Sequence, residues 1–270
     1  MGHPFQSRQL ISAVQQIITR HSPDILVLTE CISSSLCPPH QFVSNVRSLG
    51  DSIDGFKAYT SDAFEDPRRW RFGWQVQRLG HAVGVVMLVR SHIHCKVTEA
   101  YPVSPGLALR LDLSLHRTSD AICTIFGMYL PSVDTPFHFT EWDHAPVASL
   151  DSEVTSQYHE ARRSILDSVF RDAHESSQYR RTVLAGDFNF HLHHLGTCHC
   201  SDGFRHHPCG AIRCAKTNSL AKHIDSLCKR FHANVLPNSS CTFEVPSRQK
   251  TEIDYVCVFH HKDEGKVIAT

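Results

Sequence analysis

Apolar residues recur along this chain at two spacings, and the spacing changes from segment to segment. Between Ser7 and Arg20, the residues Leu10, Ile11, Val14, Ile17 and Ile18 fall at helical intervals, which predicts an amphipathic helix ended by Pro23. "DILVLTE" (24–30) then reads as a buried strand that closes on an acid. "GFKAYT" (55–60), "AVGVVMLV" (82–89) and "LALRLDLSLH" (107–116) read as further strands. The strict alternation of the last predicts one face on the core and one in water. "AICTIFGMYLPS" (121–132) is a strand closed by a proline. Val154, Tyr158, Ala161, Ile165, Leu166, Val169 and Phe170 share one side of a helix over 154–172, and "TVLAGDFNF" (182–190) follows as a strand. Leu220, Ile224, Leu227 and Phe231 mark another helix, and "CTFEV" (241–245) and "IDYVCVF" (253–259) are short closing strands.

Strands outnumber helices about two to one, and the helices stand singly between groups of strands, so the expected class is α+β: a sandwich of two mixed sheets flanked by helices. No internal repeat and no Gly-, Ser- or Pro-rich linker divides the chain. A single domain over 1–270 is expected, interrupted by an irregular His/Cys-rich loop at 191–216.

Several strands end in polar groups: Glu30, Tyr129, the pair Asp187 and Asn189, and Asp254 in "EIDYVCV". Each has a plain structural reading. Glu30 suits a solvated strand end, Tyr129 a core aromatic, Asp187 a turn, Asn189 an Asx cap and Asp254 a loop cap. Asp187 and Asn189 are nonetheless two residues apart at the end of an apolar run, so in an extended chain they point the same way. Gly186 before them permits a sharp turn or a close backbone approach.

Taken in order, "SPDILVLTE", "GHAVGVVMLV", "MYLPS", "VLAGDFNF" and "TEIDYVCV" resemble the endonuclease/exonuclease/phosphatase superfamily, the Mg²⁺-dependent phosphodiesterases that share the fold of DNase I and of apurinic-site endonucleases. The resemblance spans residues 22–258. Its spacing looks most like the endonuclease domain of non-LTR (LINE-type) retroelements. It implies a four-layer α/β/β/α, DNase I-like fold and Mg²⁺- or Mn²⁺-dependent hydrolysis of a phosphodiester, most often nicking of DNA. By position it implies that Glu30 binds the metal, a hard ion that takes carboxylate oxygen. Asp187 would orient and deprotonate the attacking water, and Asn189 would hydrogen-bond a phosphate oxygen as charge builds there. Tyr129 would contact the same phosphate, and Asp254 would correspond to the acid that orients a catalytic histidine.

Two family elements have no match in these 270 residues: an opening strand that carries a metal-site Asn, and a closing Ser-Asp-His motif. The expectation is a domain incomplete at both termini and impaired in catalysis, with sheet edges left for another polypeptide to complete. His260 and His261 come too early to replace the missing histidine. Other substrates of the same fold remain open: an inositol phosphate, sphingomyelin or a small phosphoester, or the poly(A) tail of an RNA. So does a catalytically dead module that binds nucleic acid.

Composition adds limits. Lys+Arg and Asp+Glu are both 27, so no global charge steers the chain to nucleic acid or to an anionic membrane, and affinity must come from local patches. One such patch is "PRRWRFGW" (67–74), where Arg68, Arg69 and Arg71 alternate with Trp70 and other aromatics; it reads either as a phosphate-gripping, base-stacking loop or as aromatics packed beneath solvated arginines. Arg162, Arg163, Arg180 and Arg181 add a candidate basic face near "GDFN". The 21 histidines will raise the net charge steeply in mild acid. Eleven cysteines without an N-terminal apolar signal point to a reduced intracellular setting, nuclear or cytoplasmic, rather than secretion. No apolar run is long enough to span a bilayer, so no membrane partner is expected. The His/Cys loop lacks a Cys-x₂₋₄-Cys pair, since one residue separates Cys198 from Cys200, and structural zinc is not expected.

Overall fold

The computed structural model describes residues 8–32, 53, 55–60, 83–91, 95–104, 107–115, 121–130, 152–188, 219–236, 243–244, 250–251 and 254–260. Helix α1 (Arg8–His21) leads into β1 (Ile25–Ile32), followed by β2 (Phe56–Thr60), β3 (Val83–Arg90), β4 (Cys95–Ser104), β5 (Ala108–Leu115) and β6 (Ala121–Tyr129). Helix α2 (Ser152–Ser177), β7 (Arg181–Asp187), helix α3 (Ser219–Arg230), β8 (Ala233–Leu236), β9 (Phe243–Glu244), β10 (Lys250–Thr251) and β11 (Asp254–Phe259) complete the order. The fold is α+β, as expected. A three-stranded antiparallel sheet, β1-β3-β2, faces a six-stranded mixed sheet, β4-β5-β6-β7-β11-β8, and β9 and β10 pair separately.

The run "VGVVMLVR" explains why β3 is central. Val85 to Val89 are all buried, which a strand achieves only when both of its faces are covered. One cover is the larger sheet. A Cβ placed on Gly127 of β6 would meet Met87 Cε at 2.6 Å, Val85 Cγ1 at 2.9 Å and Val27 Cγ1 at 3.0 Å, so the two sheets touch where β6 has no side chain. The opposite face of the larger sheet lies under α2, whose Leu166, Val169 and Phe170 are wholly buried; Phe170 meets Phe259 of β11 edge-on at 5.5 Å. Each fully buried side chain of this size contributes about 1.5–3 kcal/mol. At the other end of the small sheet, Arg90 holds the turn between α1 and β1, with its Nε on the Pro23 carbonyl at 3.1 Å. No helix of the described residues is long and apolar enough to cross a membrane.

Three strands escape the periodicity of the sequence: the two-residue β10, which pairs with β9, and two that lie at edges of the larger sheet. In "CKVTEAYPVS", β4 carries Lys96, Glu99 and Pro102; the proline sits where the register slips between Tyr101 and Ser104, which an edge strand tolerates. The four residues of β8 are too few to show a period.

The expectation for "LALRLDLSLH" requires correction. Leu109, Leu111 and Leu113 face the core, but Asp112 and Ser114 on the alternate face are buried too, because α2 roofs them. Asp112 accepts two hydrogen bonds from Arg110 (Nε to Oδ1, 3.0 Å; Nη2 to Oδ2, 2.7 Å) and one from Thr124 Oγ1 at 2.6 Å, and Arg180 Nη1 lies 3.5 Å from Oδ2. Burial alone would raise the Asp112 carboxyl. The Arg110 and Thr124 hydrogen bonds, with the charges of Arg110 and Arg180, outweigh it and hold the group below the usual carboxylate range.

Candidate active site

The strands β6 and β7 run parallel, and their register brings the ends of two distant motifs together. Tyr129 pairs with Asp187, Met128 with Gly186, and Gly127 with Ala185. On its other side β7 runs antiparallel to β11, where Asp254 pairs with Asp187. Tyr129, Asp187 and Asp254 thus form one row across three adjacent strands. Residues two apart in a strand share a face, so Tyr129 and Asp187 lie on the side of Gly127, the side turned to the smaller sheet.

Gly186 makes this row tight. A Cβ there would collide with the Met128 carbonyl oxygen and lie 2.7 Å from its carbon, so the backbones of β6 and β7 meet without room for a side chain. The pair is then pinned beyond the strand ends: Leu130 N donates to the Asp187 carbonyl at 2.8 Å, and Tyr129 N donates to the Leu107 carbonyl at 2.7 Å. Asp187 is 6% exposed and Tyr129 is fully enclosed.

Phe188 drops to the opposite face, where its ring meets Tyr255 edge-on at 5.8 Å. Its carbonyl accepts from Arg162 Nη2 at 3.4 Å. Arg162 is 2% exposed and among the largest buried side chains, while Arg180 turns inward to Asp112. The basic face expected from Arg162, Arg163, Arg180 and Arg181 is therefore halved, with Arg163 and Arg181 left exposed. The inward turn of Arg162 was legible: Ile165, Leu166 and Val169 follow it at three, four and seven residues, placing it in the apolar stripe of α2.

Glu30 lies in β1, where the register with β3 shifts between Leu28 and Cys31; the stretch thus carries an irregularity next to the acid. Val27, three residues earlier, is one of the three residues that reach Gly127. The backbones of Glu30 and Asp254 are described and their side chains are not; Asn189, Arg68, Arg69, Trp70, Arg71 and the loop at 191–216 lie outside the described residues. Among the described residues no three His, Cys, Asp or Glu side chains gather as a metal site. His260 is at the far end of β11 from Asp254, roughly 20 Å along the strand, where it bonds Asn234 at 2.7 Å. It cannot be the histidine that Asp254 would orient.

A profile of the endonuclease/exonuclease/phosphatase family matches residues 6–262. Among solved structures, an AP endonuclease from Archaeoglobus fulgidus superposes with a TM-score of 0.54 at 9% identity, over 93% of this chain and 82% of the other. The catalytic domain of human nocturnin, solved with a bound sulfate anion, superposes with a TM-score of 0.50 at 13% identity, over 94% and 76%. At these identities the likeness is one of fold. No curated protein sequence matches the chain.

Proposed function

Because the chain belongs to the endonuclease/exonuclease/phosphatase family, we propose that it hydrolyses phosphodiester bonds with a divalent cation, and that its substrate is DNA, nicked in the manner of retroelement endonucleases. The observation that carries this reading is the row of Tyr129, Asp187 and Asp254, three polar residues in register at the strand ends. That an AP endonuclease has the same fold supports the choice of DNA.

The donor chemistry fits the cation. Glu30 and Asp187 offer carboxylate oxygen, the ligand that Mg²⁺ and Mn²⁺ favour over sulfur or imidazole. Glu30 would hold the ion, which when bound would offset the charge that builds on the phosphate during attack. Asp187 takes the proton from the attacking water; its enclosure by β6 and β11 fixes the carboxylate and leaves little competing solvent. Asn189 donates to a phosphate oxygen. Tyr129, one strand over on the same face, contacts that phosphate from below. Asp254, in backbone register with Asp187, is the acid that would orient a catalytic histidine. Arg68, Arg69, Trp70 and Arg71 grip the nucleic-acid strand.

Nicking of supercoiled plasmid by the purified chain, with Mg²⁺ or with EDTA, tests this beside Asp187→Ala. Mg²⁺-dependent nicking lost in the variant is the expected result. Folded protein that binds DNA but nicks no more than Asp187→Ala would overturn it.

A further inference from the structure

Arg162 occupies a place that suits no solvated charge. It lies among Ile165, Leu166, Val169 and Phe170 on the face of α2 that packs on β6, β7 and β11, and it is as enclosed as they are. A fully buried arginine is rare, because its charge is expensive to remove from water unless a partner meets it. A methionine would fill much the same volume without that cost. The guanidinium is matched instead by what it holds.

What it holds is the first carbonyl beyond the sheet. Among the described residues, the ladders of β7 with β6 and with β11 both end at Asp187, whose carbonyl accepts from Leu130 N at 2.8 Å. The next carbonyl, on Phe188, accepts from Arg162 Nη2 at 3.4 Å. The Phe188 ring is held as well, since it is wholly buried and meets Tyr255 of β11 edge-on at 5.8 Å. Two successive carbonyls and the ring that follows Asp187 are thus fixed by groups on α2, on β11 and at the end of β6.

We propose that Arg162 is a positioning residue for phosphodiester hydrolysis: its guanidinium holds the Phe188 carbonyl and so sets the direction in which the backbone presents Asp187 to the water and Asn189 to the phosphate. The proposal rests on the nuclease reading above and adds a residue that is itself too enclosed to touch substrate. Strand pairing orders β7 as far as Asp187 and no further, so the next peptide needs another restraint. A charged donor supplies a strong one, because hydrogen bonds from an ionised group exceed those between neutral groups. Its seat in a packed helix face keeps the donor from turning away.

The test joins hydrogen–deuterium exchange to nicking kinetics, on the whole chain unaltered and as Arg162→Met and Arg162→Lys. Arg162→Met should speed exchange in the peptide that contains Asp187 and Phe188, leave β5 as it was, and lower kcat about tenfold at unchanged KM. Arg162→Lys keeps the charge and a donor, and should recover part of both. A folded methionine variant that exchanges like the unaltered chain would overturn the proposal, and so would faster exchange with kcat untouched. Where Arg162→Met does not fold, Arg162→Lys is compared with the unaltered chain alone: faster exchange and slower turnover together uphold the proposal, and either without the other overturns it. An unaltered chain that nicks no DNA sinks the nuclease reading and the catalytic part of the proposal with it, while the exchange data decide separately whether Arg162 anchors the Phe188 peptide.

Discussion

Arg162 reaches across from α2 to hold the carbonyl of Phe188, the residue between Asp187 and Asn189. A buried guanidinium thus fixes the peptide on which two candidate catalytic residues are mounted. Arg162→Met keeps most of the volume and removes the bond, so a loss of about 1.5–3 kcal/mol in urea unfolding is expected. Turnover on a phosphodiester substrate should fall about tenfold at unchanged KM, since a misplaced reacting group affects the chemical step first. Unaltered turnover in folded protein would show that Arg162 only fills space.

Gly186→Ala places a methyl group against the Met128 backbone. The neighbour is main chain and cannot turn aside, so β6 and β7 must part. Overpacking of this kind destabilises by about 1–3 kcal/mol. A urea midpoint that shifts by under about 0.5 kcal/mol equivalent, within the range of ordinary surface changes, would contradict the close approach.

Tyr129→Phe separates two roles. If the hydroxyl serves the phosphate, hydrolysis drops by about 10²-fold with stability nearly intact. A core aromatic whose hydroxyl only satisfies a neighbour gives the reverse, lower stability with unchanged rate. Parallel measurement of kcat and thermal midpoint distinguishes them.

Asp112 links stability to acid. Its folded carboxyl titrates below the unfolded value, so its stabilisation is complete above the ordinary carboxylate range, near ~3.9, and is lost as pH falls through the lower folded value. Unfolding free energy should therefore decline steeply below about pH 4, and Asp112→Asn should flatten that decline. Asp112→Ala leaves Arg110 and Arg180 facing each other without their acid, and about 3–5 kcal/mol should be lost at neutral pH. Denaturant titrations at several pH values give both quantities.

The apolar run of β3 was legible because it is buried on both faces and so lacks polar interruptions, and those of β6 and β7 because apolar residues fill one face completely and the other in part. The edge strands β4 and β8 were not, since an edge accepts Pro102 or a length of four residues without penalty. Periodicity located the polar face of β5 but could not show what covers it, because the α2 helix that does so lies far along the chain. Of the candidate site, the sequence supplied the residue types and their order. The register that sets Tyr129, Asp187 and Asp254 side by side depends on which strands are neighbours, a long-range property that a local pattern does not encode.

The parallel pairing of β6 with β7 also governs how the site is assembled in time. Two parallel neighbours cannot be joined by a tight turn, and the connection here contains the whole of α2. The chain must close that large loop before Asp187 meets Tyr129, and it must close another, containing α3, before Asp254 arrives. Loop closure of this kind slows folding more than it lowers stability. The hairpin of β5 and β6 needs only local contacts, whereas the row that carries the proposed chemistry needs both closures, so a chain leaving the ribosome can complete it only after β11 has emerged.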